Sequence, residues 1–248
     1  TVSFISTPFQ SFGWSGVVET PIFYRSVGRD VAIQPDGKIV VAGHSETNST
    51  VFFAVTRYHS NGSLDSTFDL DGVATISVIP FFFFFSTGLA LQSDGKIVVV
   101  GNSDSGFAVV RYQINGSLDS SFGVGGIVIS PIETASANSV AIQTDGKILV
   151  VGNNYDGPNI DFIMARYHTN GLLDSIFDSD GIVITDVGSG YAEARSIAIQ
   201  ADNKILIAGS SFSGACTIVR YNSNGALDST FDSDGFATTP IGLAFNAN

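Results

Sequence analysis

The sequence has a single cysteine, Cys216, among its 248 residues, so no disulfide can form within the chain. It is also poor in basic residues: 11 Lys and Arg stand against 23 Asp and Glu, a formal net charge of −12. A phosphate backbone needs cationic side chains to displace its counterions, so no nucleic-acid partner is expected. An anionic membrane surface is disfavoured for the same reason. Charged residues of both signs together make up only 14%, low for an ordinary soluble domain. Long apolar runs are missing. The longest contains Phe81, Phe82, Phe83, Phe84 and Phe85 and is far too short to cross a bilayer as a helix. Apolar spacing of three and four persists nowhere long enough for a helix. No signal peptide is visible, and a start at Thr1 rather than Met is expected to reflect processing or truncation. What is abundant is Gly (27) and Phe (20), within a hydrophobic share of 44%. That is the composition of many short strands joined by tight turns. Cys216 falls in one such apolar strand, where a buried, inert thiol is expected.

One phrase recurs four times: VAIQPDGKIVVAG from Val31, LALQSDGKIVVVG from Leu89, VAIQTDGKILVVG from Val140 and IAIQADNKILIAG from Ile197. An Arg-Tyr pair follows each (Arg57-Tyr58, Arg111-Tyr112, Arg166-Tyr167, Arg220-Tyr221), then an Asn-Gly turn and a Leu-Asp-Ser triplet. The arginines lie 54, 55 and 54 residues apart. So constant a period means one supersecondary unit copied in series. Asp-Gly is a strong two-residue hairpin signal. Each unit therefore divides into four short strands, expected in the last copy at 196–200, 204–209, 216–221 and 236–240.

A four-stranded antiparallel unit of this length, repeated head to tail, predicts an all-β fold: a β-propeller. One blade cannot bury both faces alone, and stacking around a ring solves this. A β-solenoid is the alternative, which the Asp-Gly hairpins argue against. A single domain over 1–248 is expected, with repeats at 29–80, 86–132, 138–187 and 195–241 and partial repeats at 1–22 and 242–248. Residues 11–18 align with 67–74, and 242–245 with 88–91, so both ends are expected to share a fifth blade, 17–20 beside 243–245. A segment of a longer chain is the other reading.

The core A-[IL]-Q-x-D-G-K-[IL]-[VL]-V-x-G, the Arg-Tyr pair and N-G-x-L-D-S-x-F resemble the delta-60 repeat family over residues 11–245, and the strand pattern is similar to NHL propellers. The resemblance implies a β-propeller from bacterial secreted or surface proteins, with no agreed activity. Asn203 in place of the turn glycine and the insert of five Phe depart from the pattern.

Residues present in every copy are read as structural: the turn residues Asp36, Asp94, Asp145 and Asp202, and the Arg-Tyr pairs, with Asp65, Asp119, Asp174 and Asp228 as partners of the arginines. Asp69/Asp71, Asp178/Asp180 and Asp232/Asp234 form D-x-D-G loops that could hold calcium. The second copy has Gly123-Val124-Gly125-Gly126 there, so plain turn chemistry is the preferred reading. His44, His59 and His168 are read as surface residues near strand ends. Function is expected in the non-repeated loops, which offer a protein or glycan the aromatics Tyr155, Tyr191 and Phe212. Phe81, Phe82, Phe83, Phe84 and Phe85 would plug the ring or meet a partner or another copy. The expectation is a secreted or cell-surface, non-catalytic binding or structural module with no cofactor, self-association being open to it. A carbohydrate- or calcium-binding propeller is one alternative. A lyase or hydrolase with a channel metal is another, although no Ser-His-Asp order or paired catalytic Glu stands out. A lone Trp leaves no sugar platform in each blade.

Overall fold

The computed structural model describes residues 16–77, 86–103, 105–156, 159–188, 190–211 and 215–239. The Asp-Gly turns build the first hairpin of each unit. Gln34 N–H donates to Lys38 O (2.8 Å), and Gly37 N–H donates to Gln34 O (2.9 Å). Asp36 Oδ1 accepts the Lys38 N–H at 3.1 Å. Gly37 has φ 83°, and Asn203 fills the same place in the last copy at φ 65°, a conformation Asn tolerates.

Among the described residues, 16 strands form four separate four-stranded antiparallel sheets. The first holds β1 (Arg25–Ile33), β2 (Ile39–Glu46), β3 (Val51–Tyr58) and β4 (Val73–Ile76). The second holds β5 (Ser86–Leu91), β6 (Ile97–Ser103), β7 (Gly106–Tyr112) and β8 (Ile127–Ile129). The third holds β9 (Ala135–Ile142), β10 (Ile148–Asn154), β11 (Asp161–Tyr167) and β12 (Ile182–Thr185). The fourth holds β13 (Glu193–Ile199), β14 (Ile205–Ser210), β15 (Cys216–Tyr221) and β16 (Phe236–Thr239). Strands pair in sequence order within each sheet, which rules out solenoid coils. β13 starts earlier than the spacing predicts because a register shift between Ala194 and Ser196 carries the strand past a break in its alternation. The glycine closing each repeat phrase sits under that first strand. A Cβ on Gly152 would lie 1.7 Å from Ser136 O, and one on Gly209 would lie 2.0 Å from Glu193 O.

The core lies between blades rather than within them. Val98, Val100, Phe107, Val109 and Phe122 of the second blade pack on Val140, Ile148, Val150, Ile163, Ala165 and Tyr167 of the third. The first and second blades join in the same way, as do the third and fourth. Each blade thus has a leading face toward its predecessor and a trailing face toward its successor. The innermost strands β1, β5, β9 and β13 neighbour one another in turn. This is the blade stacking of a β-propeller.

The outer strand of one blade also reaches the tyrosine of the next. Tyr58 OH donates to Thr20 Oγ1 (2.8 Å), and Tyr221 OH meets Thr185 Oγ1 (2.6 Å). Thr20, before β1, thus meets Tyr58 as Thr185 of β12 meets Tyr221. Whether 17–20 lie beside 243–245 falls outside the described residues, since the second segment does.

Two sequence expectations need correction. Cys216 is exposed, not buried. It holds the trailing-face place that Phe53, Phe107 and Phe162 hold in the other blades, where the following blade covers them. His44 is no surface residue: it lies inside β2 and is buried. Burial, and then the charge of Arg29, lowers its pKa to about 4.

Tyr112 shows what the outer contact is worth. Its hydroxyl is buried without a hydrogen-bond partner; Ile76 stands where Thr20 and Thr185 meet the tyrosines at two other contacts, and Ser130 holds the same place beside Tyr167. Ile76→Thr should supply the partner and raise unfolding free energy by about 1 kcal/mol, read as a higher urea midpoint. A lower midpoint would show that the apolar packing of Ile76 matters more.

Candidate functional site

The charged residues of the repeat converge on one buried carboxylate per blade. Arg57 Nε donates to Asp65 Oδ2 at 2.8 Å, and the same geometry recurs for Arg111–Asp119, Arg166–Asp174 and Arg220–Asp228. The lysine of each hairpin reaches the same oxygen: Lys38 at 3.4 Å, Lys96 at 3.7 Å, Lys147 at 3.3 Å and Lys204 at 2.8 Å. Asp65 also accepts the Thr67 hydroxyl (2.7 Å) and amide (3.1 Å). Burial opposes ionisation of Asp65, yet the Thr67 bonds and Arg57 hold its pKa far below the usual carboxylate value. Each guanidinium lies over a Phe ring of its own blade, 4.1 to 4.7 Å from the centroid. In the first three blades its Nη1 crosses the joint. Arg111 Nη1 donates to Thr169 O (2.5 Å), Arg166 Nη1 donates to Ser223 O (2.6 Å), and Arg57 Nη1 donates to Ile114 O. His59 and His168 sit at the rim, 3.7 and 3.5 Å from the carboxylates of Asp65 and Asp174.

The D-x-D-G loops belong to the same joint. Asp69 N–H donates to Asn115 O (2.7 Å), and Asp178 N–H donates to Asn224 O (3.0 Å). Gly123 N–H makes the equivalent bond to Asn170 O (2.9 Å) without any carboxylate. Asp71, Asp180 and Asp234 each accept the backbone N–H two residues on, at 2.8 to 2.9 Å. Burial and the second carboxylate raise the pKa of Asp69 and Asp178. Among the described residues, no three His, Cys, Asp or Glu side chains gather as a metal-ligand group.

A cavity of about 1150 Å³ opens at the hairpin mouth of the first three blades. Gln34, Gln92 and Gln143, the glutamines of the repeat phrase, line it together with Ile33, Leu91 and Ile142. Gln34 is 5% exposed and Gln143 8%. The Oε1 atoms of all three are buried with no hydrogen-bond partner, as is that of Gln200. Charges at the rim are matched in place: Asp36 with Lys38 at 3.3 Å, Asp94 with Lys96 at 2.8 Å. The described lining thus offers amides and cancelled charges. Sequence reasoning missed this site by assigning every recurrent residue to stacking. The available signal was a glutamine recurring in an otherwise apolar strand.

Two of the aromatics singled out from the sequence, Tyr155 and Tyr191, lie at the opposite ends of the strands. Tyr155 follows β10, and its hydroxyl is 3.2 Å from Ser136 Oγ. Tyr191 precedes β13 and donates to Glu193 Oε1 at 3.2 Å. Both are exposed, and they are close enough for the charge of Tyr155, after that of Glu193, to raise the pKa of Tyr191. Phe81, Phe82, Phe83, Phe84, Phe85 and Phe212 lie outside the described residues.

Serial four-stranded sheets joined face to face define a β-propeller repeat protein. The four copies match one family over residues 34–68, 92–122, 143–177 and 200–231, more than half of the chain. The chain belongs to that family, described as a beta-propeller domain of unknown function (DUF5122). No curated protein matches it in sequence. Several solved structures are similar. A protein of unknown function from Bacteroides caccae is 13% identical with a TM-score of 0.46; the match covers 83% of this chain and 60% of that one. XC5397 from Xanthomonas campestris, described as a gluconolactonase, is 12% identical with a TM-score of 0.42, covering 77% of this chain and 58% of that one. A calcium-binding protein from Agrobacterium tumefaciens, regucalcin, is 12% identical with a TM-score of 0.41, covering 82% and 72%. The chain spans less than two thirds of the length of the first two.

Two outcomes follow from the ion pairs. Arg111→Ala strands a buried Asp119, so it should cost about 3 kcal/mol, measured by urea unfolding. An unchanged midpoint would contradict the buried geometry. The second concerns acid. Asp65, Asp119, Asp174 and Asp228 are held below the usual carboxylate value, so their stabilisation is present above that value and lost as pH falls through and below it. His44, lowered from 6.5 to about 4, adds a loss between those values, because the unfolded chain takes up the proton first. His44→Phe should therefore flatten the unfolding midpoint between about pH 6.5 and pH 4 while leaving the steeper fall below it.

Proposed function

We propose that this propeller is a non-catalytic binding module that holds a neutral, hydrogen-bonding ligand, a glycan or a peptide, at its hairpin mouth. Three glutamines that line one cavity, each with a buried side-chain oxygen lacking a partner in the protein, carry this reading, because such groups cost stability unless a partner meets them. The paired rim charges favour a neutral ligand over an ion. The delta-60 resemblance and the acidic composition support a secreted or cell-surface protein that binds neither nucleic acid nor lipid. No cofactor is needed for such binding. Calcium in the D-x-D-G loops is a weaker proposal, since the second carboxylate of each loop already serves the backbone.

Arrays of neutral oligosaccharides and of peptides test the reading. The combined change Gln92→Leu and Gln143→Leu should weaken the strongest binder by about tenfold or more, while Tyr155→Ala should not. Binding lost only with Tyr155→Ala and Tyr191→Ala would move the site to the opposite face. Turnover of the bound compound would make the protein an enzyme.

A further inference from the structure

The three joints between blades share one set of contacts, and the fourth blade presents half of that set with nothing against it among the described residues. In the first three blades the trailing face is sealed: Phe68, Phe122 and Phe177 are fully buried, as are Val40, Val98 and Leu149. Their counterparts in the fourth blade, Phe231 and Leu206, are only half-buried, and Cys216 is exposed. The arginine side chains of the sealed joints are 4, 5 and 8% exposed, while that of Arg220 is 19% exposed. Arg220 makes its bonds to Asp228 and Thr230 within the blade. No described residue accepts from its Nη1, the atom that crosses every other joint. The backbone N–H of Asp232 likewise lacks the carbonyl that Asp69, Gly123 and Asp178 find in the next Asn-Gly turn.

The exposed set specifies its complement. Two donors stand where they would meet the carbonyls of an Asn-Gly turn and of the residue before it. Beside them Leu206, Ala208 and Ile218 match the rows that Val98, Val100 and Val109 offer to a following blade. We propose that the trailing face of the fourth blade is a docking site for the leading face of a further three-stranded unit of this same repeat pattern, one carrying the Arg-Tyr strand and its Asn-Gly turn. The argument is continuity: the same half-interface is completed three times within the chain, each time by such a unit. A single added strand would not suffice, because the apolar rows and the two donors span the blade from its second strand to its outer loop. This surface is separate from the hairpin-mouth cavity, so the proposal stands apart from the ligand reading.

Cys216 gives a direct readout, being the sole thiol of the chain and on the proposed surface. The probe is a peptide copying residues 135–171, which contains the three inner strands of the third blade, its Asn170-Gly171 turn and no cysteine. Added to the full chain, it should slow the reaction of Cys216 with a soluble disulfide reagent by about tenfold at saturation. The Ile218→Glu chain should show no such slowing, nor should a peptide carrying Val150→Glu. Three results would overturn the proposal. One is an unchanged Cys216 rate with soluble peptide in excess. Another is a slow rate without peptide at every protein concentration, meaning that the chain's own segments cover the face. The third is a rate that falls as protein concentration rises even in a chain carrying Val41→Glu on the matching face of its first blade, meaning that a second copy covers the surface with something other than a repeat unit.

Discussion

A guanidinium buried between two β-sheets must place five N–H donors without help from water, and that demand organises this protein. Its Nε goes to an aspartate of its own blade, and its Nη1 goes to a carbonyl of the next. The flat face lies on a Phe ring. The aspartate must therefore sit eight residues after the arginine and the Phe eleven after it, as Asp119 and Phe122 do after Arg111. The carbonyl must come from a turn tight enough to press against that ring. A Cβ on Gly171 would lie 3.1 Å from Phe122 Cε2 and 3.0 Å from Gly123 N, so the turn is Asn-Gly. The constant period of the sequence is thus the spacing that lets one blade complete the coordination of its neighbour's arginine.

The proposed binding site arises from the same geometry, where the repeat phrase turns its hairpin. The hairpin turns fix where the first strand stops, and stacking brings three such stops around one mouth. Glutamines that are separate in sequence become a cluster there. Recurrence here serves two ends: the arginine and aspartate hold the blades together, while the glutamines of the first three blades, whose side-chain oxygens have no partner in the protein, line one cavity.

Local chemistry was legible in the sequence. The Asp-Gly and Asn-Gly turns, the antiparallel order and the bounds of β15 are set by residues close together in the chain. The arginine–aspartate pairing was legible because both partners recur at fixed spacing. What depended on the neighbouring blade was not legible. Cys216 reads as a core residue because its strand is apolar, yet its exposure is decided by whether another sheet lies over it. His44 reads as polar and terminal, yet β2 continues past it into the sheet. The cavity was hidden because its lining comes from three blades at once, and its existence depends on the angle between them.

The central claim is that the arginine stabilises the joint and not only its own blade. Hydrogen exchange in Arg111→Lys measures this, since lysine keeps a charge beside Asp119 but lacks the fork that reaches Thr169 O. If the arginine seals the joint, the amide of Gly123, which bonds across it to Asn170 O, should lose protection together with the leading-face amides of β11. Loss of protection confined to β7 and β8, with Gly123 unchanged, would contradict the account.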